Sequence, residues 1–134
     1  MPEHFLATLP SFLAYLGASI VLLVGFVTLY LYVTPYDEIK LIRANNTAAA
    51  ISLSGAILGF AMPIANVIAH SDTVLDLAFW GVVAGLVQLL AWALARVALP
   101  QLQEDIKAGR VAPAIFVAAL SLTVGLINAA CMAY

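Results

Sequence analysis

The chain has 134 residues, the length of one ordinary domain. It is 65% hydrophobic and 9% charged, against roughly 25% charged residues in soluble domains, so no water-facing surface can be built from it. A formal net charge of −2 leaves no basic patch able to neutralise phosphates and excludes a nucleic-acid partner.

The few charges are clustered. Residues 5–36, 44–69, 77–95 and 111–134 contain no Lys, Arg, Asp, Glu or His. Each stretch comes up to the about 20 residues that a membrane-spanning helix needs, and none has a polar face at helical period. The composition therefore predicts an all-α integral membrane protein with four transmembrane helices in a single membrane domain, 1–134.

The first helix is expected over 11–34, with Pro10 in its first turn and Pro35 just past its end. The stretch is longer than the apolar core of a signal peptide and no basic segment precedes it, so it reads as a permanent span. A first loop with Lys40 and Arg43 leads to a second helix over 47–69, which carries Gly55-x-x-x-Gly59, an internal Pro63 and Asn66. Pro63 has no N–H to give to the carbonyl of Gly59 and is expected to kink the helix there. The next loop holds His70, Asp72 and Asp76. With Glu3 and His4 these are ligand types for a metal, but their spacing fits no tight motif and reads better as a solvated turn and cap; no metal or other cofactor is expected.

The third helix, 77–99, carries Gly81-x-x-x-Gly85 and Gln88 and ends before Pro100. A loop with Lys107 and Arg110 leads to the fourth helix, 113–133, with Pro113 in its first turn and the stripe Ala114, Ala118, Ser121, Gly125, Asn128 and Met132. The matching stripe on the second helix is Ala48, Ser52, Gly55, Gly59, Met62 and Asn66. Small residues at this spacing let helix backbones approach closely where the solvent is lipid. Three helices carry such stripes, more faces than one four-helix bundle absorbs, which predicts a homo-oligomer. The amides Gln88, Asn66 and Asn128 read first as interhelical hydrogen-bonding groups and second as the lining of a solute path between subunits. No charge lies deep in any span, and no nucleophile stands beside a base. Proton-coupled transport and intramembrane catalysis are therefore not expected. Tyr30, Tyr32, Tyr36 and Trp92 at one end, with Trp80 and Tyr134 at the other, read as aromatic belts at the membrane surfaces. Cys131 is the one cysteine, so no internal disulfide forms.

All five Lys and Arg lie in or beside the first and third loops. The positive-inside rule puts those loops in the cytoplasm and both termini outside. Lys40, Arg43, Lys107 and Arg110 would there meet anionic lipid or a peripheral protein. The two loops also share a pattern, Glu38-Ile39-Lys40-x-x-Arg43 and Asp105-Ile106-Lys107-x-x-Arg110. This predicts a tandem repeat of two two-helix units, about 11–69 and 77–134, related by an axis along the membrane normal.

The stretch from Ile42 to Ala50, with Leu58-Gly59-Phe60-Ala61-Met62-Pro63, resembles the YjfL-type bacterial inner-membrane proteins, the domain-of-unknown-function family numbered 350. So do Asp76 to Gly81, Gln88-Leu89-Leu90 and the tail from Ile127 to Tyr134, apart from Asn46 and from Ala133, where Ser or Thr is expected. The resemblance covers essentially the whole chain. It implies a four-span inner-membrane protein with no assigned activity, in gene neighbourhoods shared with membrane-stress proteins. The resulting expectation is a structural or adaptor protein of envelope maintenance, not an enzyme, with a small channel or transporter as the alternative.

Overall fold

The computed structural model describes residues 2–132, with side chains from Phe5 onward. Six helices follow one another: α1 (Pro2–Val33), α2 (Glu38–Arg43), α3 (Thr47–His70), α4 (Val74–Ala98), α5 (Leu102–Lys107) and α6 (Val111–Cys131). α1, α3, α4 and α6 are long and apolar enough to cross a membrane. α1 begins well before the position expected for it, and Pro10 lies inside it, not in its first turn. Where lipid is the solvent an uninterrupted helix keeps the backbone satisfied, and the single N–H that Pro10 lacks is tolerated.

α3 and α6 form the most extensive helix pair, and the stripes explain why. A Cβ added at Gly55 would overlap the Cα and Cβ of Ala118, and one added at Gly125 would fall on the Gly59 backbone and its carbonyl oxygen. That carbonyl is the one from which Pro63 withholds an N–H, although α3 continues through Pro63 as one helix. Contacts run upward together, Gly55 with Ala118, Gly59 with Ser121 and Asn66 with Ala129, so the two helices are parallel.

α4 packs against both members of this pair, and α1 lies against α4 and α3. The Phe26 ring stacks on Phe60 with centroids 4.4 Å apart, and Tyr15 donates from its hydroxyl to the Ser71 carbonyl at 3.2 Å. Elsewhere α1 is open: Phe12, Leu13, Val21 and Val24 are exposed.

The two segments expected as loops each hold a short helix at the same end of the bundle. Pro35 follows α1, and the Asp37 carboxylate caps α2 by accepting the Lys40 N–H at 3.2 Å. α2 then turns Glu38, Leu41 and Ile42 inward, and α5 turns in Leu102 and Ile106. Both stop in the same way. Beyond α2 the N–H groups of Ala44, Asn45 and Asn46 reach the carbonyls of Lys40, Ile42 and Leu41; beyond α5 those of Ala108, Gly109 and Arg110 reach Glu104, Ile106 and Asp105. Each stop needs one left-handed residue, Asn45 at φ 68° and Gly109 at φ 78°, the two residue types that take this conformation most cheaply. The backbone thus sets Glu38 opposite Leu102 and Ile42 opposite Ile106. The sequence match of Glu38 with Asp105 is out of register, because hydrogen bonding in the turn, not the run of charges, fixes the alignment.

Candidate functional site

The three intramembrane amides are separated from one another in use. Gln88 is buried and its Nε2 donates across to the Ser121 carbonyl at 3.0 Å, beside Gly59. Asn66 donates to the carbonyls of Ala129 at 2.9 Å and Met132 at 3.3 Å, satisfying the end of α6. Asn128 has a buried amide nitrogen with no acceptor. Gly55, Gly59, Ser121 and Gly125 sit in the α3–α6 contact. Gly81 meets the flexible tip of Leu22 on α1, and Gly85 is in ordinary contact with Phe26 and Phe60. The glycines of all three small-residue stripes therefore meet partners within the chain.

Lys40, Arg43, Lys107 and Arg110 are exposed at the α2–α5 end. Asn46 caps α3 by accepting the Ala49 N–H at 3.0 Å, while its Nδ2 donates to the Ile106 carbonyl at 2.9 Å. One side chain thus ties the two basic turns into one surface. Arg110 pairs with Asp105 at 2.7 Å, which leaves Lys40, Arg43 and Lys107 as the freer charges. Arg96 lies over the Trp92 ring, 5.5 Å from its centroid. At the opposite end Thr73 caps α4 by accepting the Asp76 N–H. No three His, Cys, Asp or Glu side chains gather among the described residues; Glu3 and His4 lie outside the described side chains.

The same end holds a group that sequence reasoning missed. Glu38 is fully buried, although it stands in a segment expected to be a solvated loop. Its Oε1 contacts the Thr34 hydroxyl, while its Oε2 has no partner. Tyr30, Tyr36 and Trp92, read above as belt residues, are buried around it; Tyr32 alone of that group faces outward, at 87% exposure. Tyr30 Oη is buried without an acceptor, and the Trp92 indole N–H lies toward the Tyr36 hydroxyl. Burial drives the Glu38 carboxyl up to about 7; the Thr34 hydroxyl offsets part of the rise and the Asp37 charge adds to it. Burial likewise raises Tyr36 to about 12, with the Glu38 charge adding to it and Trp92 and Ser52 easing it. The signal in the sequence was the spacing: a proline stop, an Asp cap, then Glu38, Leu41 and Ile42 at i, i+3 and i+4 put a carboxyl on the apolar face of a short helix.

The chain matches the family described as Domain of Unknown Function (DUF350) over residues 4–132. It is 34% identical over 131 residues to the UPF0719 inner membrane protein YjfL of Escherichia coli K12, covering 98% of this chain and 99% of that one. To the UPF0719 transmembrane protein YshE of Bacillus subtilis 168 it is 28% identical over 92 residues, 69% of each chain. No solved structure matches. Four apolar helices of spanning length, and a match running from the first helix to the last, make this chain a membrane protein of the DUF350 family.

Proposed function

We propose that this protein is a structural or adaptor component of the bacterial inner membrane, with α2 and α5 in the cytoplasm and both termini outside. Lys40, Arg43, Lys107 and Arg110 would form its contact with anionic lipid or a peripheral protein. The observation that carries the reading is the Asn46 tie between the two basic turns, which converts two loops into one charged platform. Basic residues near an anionic surface gain about 1 kcal/mol each. The matching turn hydrogen bonds after α2 and α5 support an origin by duplication, with Glu38 rather than Asp105 aligned to the start of each unit. Self-association belongs to the same reading, through the open flank of α1 rather than through a glycine stripe. A path between subunits has less behind it, because Gln88 and Asn66 spend their donors on helix carbonyls.

Native mass spectrometry from nanodiscs containing anionic and zwitterionic lipid tests the platform. Retention of anionic lipid by the wild type, lost in a Lys40→Gln, Arg43→Gln, Lys107→Gln triple variant, is the expected result; equal retention by both would refute it. The same spectra count subunits. Reporter fusions after Gly109 and at the C-terminus should give opposite signals, and a cytoplasmic C-terminus would reverse the orientation.

A further inference from the structure

We infer that Glu38 is a proton-binding site at the α2 end of the bundle, and that the bound proton latches α2 onto α1. The argument is a count of hydrogens. Thr34 has one hydroxyl hydrogen, yet its Oγ1 lies within reach of three acceptors: the Tyr30 carbonyl at 3.1 Å, the Leu31 carbonyl at 3.3 Å and Glu38 Oε1. With Glu38 ionised, the hydroxyl hydrogen can serve only one of them. With Glu38 protonated the conflict disappears, since the carboxylic acid donates to Thr34 Oγ1 and Thr34 donates on to the Tyr30 carbonyl. The chain of hydrogen bonds then runs from α2 into the last turn of α1.

The surroundings agree. The carboxyl is fully buried, and the one ion pair among the described residues, Arg110 with Asp105, is elsewhere. The titratable groups that face the carboxyl are Tyr30 from α1 and Tyr36 and Asp37 from the connection; the Arg96 guanidinium of α4 is held over the Trp92 ring instead, and α3 contributes Ser52 beside Tyr36. None of these supplies a counter-charge to Glu38. An anion buried without one is costly, and the cheaper state is the neutral acid. Loss of the proton leaves Oε2 as an unsatisfied anionic oxygen. Relief comes when α2 moves to let water in, or when the Tyr30 hydroxyl, buried without an acceptor, turns to it. α2 carries Lys40 and Arg43, so the latch would also set how the basic platform is presented. That consequence rests on the preceding reading; the proton site does not, because it is measured without reference to lipid binding.

The test is infrared difference spectroscopy of the reconstituted protein as pH is stepped through about 7, with Trp92 emission followed in a Trp80→Phe background. The expected result is a protonated-carboxyl band that disappears over this range in the wild type and is missing in Glu38→Gln. Trp92 emission should shift with the same midpoint, and the shift should be abolished by Glu38→Gln. Should Glu38→Gln not fold, Thr34→Ala serves instead and should move the midpoint. A wild-type spectrum with every carboxyl already ionised below neutral pH would overturn the proposal, whatever the variants do. So would a titrating band that survives Glu38→Gln, or one whose midpoint Thr34→Ala leaves in place.

Discussion

The corners α1–α2–α3 and α4–α5–α6 leave their short helices by the same turn but do not share a chemistry. Each places a short helix of 6 residues between two long ones, ends it with the same three N–H to carbonyl bonds, and uses one left-handed residue to leave it. At the first buried position of that helix one corner has Leu102 and the other Glu38, 1% and 0% exposed. The α5 corner shows what the fold asks for there, an aliphatic side chain. The carboxyl at the α2 corner is therefore not required by the architecture. It brings a buried group that has to manage a charge, and it comes with its own company: Thr34, Tyr36 and Trp92 line this corner.

The comparison holds only while α3 and α6 hold the two corners side by side. The largest effect should come from breaking that contact. Gly125→Leu would drive a branched side chain into the Gly59 backbone, and overpacking where backbones touch should cost about 3 kcal/mol or more. Thermal unfolding in detergent measures it. Gly17→Leu, at a glycine with nothing within 4 Å, should stay within about 0.5 kcal/mol and serves as the control.

Next in size is the exchange of chemistry between corners. Leu102→Glu places a carboxyl in the α5 pocket without the threonine that meets Glu38, and should destabilise by about 2–3 kcal/mol at neutral pH. The reverse change, Glu38→Leu, should do the opposite over part of the pH range. A carboxyl raised from 4.5 to about 7 in the folded protein binds its proton more tightly folded than unfolded. Wild-type stability should therefore fall as pH rises from 4.5 through about 7, and level off above. Glu38→Leu should be flat across this window and about 1 kcal/mol more stable than the wild type above it, as replacements of buried charge by apolar groups tend to be. Parallel curves for the two proteins would mean that Glu38 is not what titrates.

What the sequence made legible follows from what lipid demands. Four spans can be read because each must be uncharged between its end turns, and Gly55, Gly59 and Gly125 because helix contact leaves few residue choices. The corner helices were not legible in the same way. Six residues are too few for periodicity to stand out, and a charge run such as Glu38-Ile39-Lys40 looks like a solvated loop whichever side each residue faces. The apparent hexapeptide repeat then aligned Glu38 with Asp105, and hid that the buried position held by Leu102 in one corner is held by Glu38 in the other. Tyr30, Tyr36 and Trp92 were misplaced for a related reason: belt and core aromatics share a composition, and only their packing against neighbouring helices shows that these three are buried. The three stripes do not by themselves call for a second subunit, because α1 takes up the Gly81 face through Leu22.

The smallest expected effects are at the left-handed residues, and they test whether the corners are equivalent in backbone alone. Gly109 lies at φ 78° with open space around the position of a Cβ, so Gly109→Ala should lose only the intrinsic cost of a left-handed alanine, about 1 kcal/mol. Gly109→Asn reproduces the residue that the α2 corner already uses at φ 68° and should recover most of that loss. Asn45→Gly should lie within about 0.5 kcal/mol of wild type, since freeing the folded backbone and loosening the unfolded chain oppose each other. These values come from unfolding curves compared at one pH, chosen below the range in which Glu38 titrates, so that the charge at one corner does not enter. If Gly109→Ala were silent while Asn45→Ala were costly, the shared turn would be carrying different loads at the two corners, and their matching hydrogen bonds would no longer argue for a common origin.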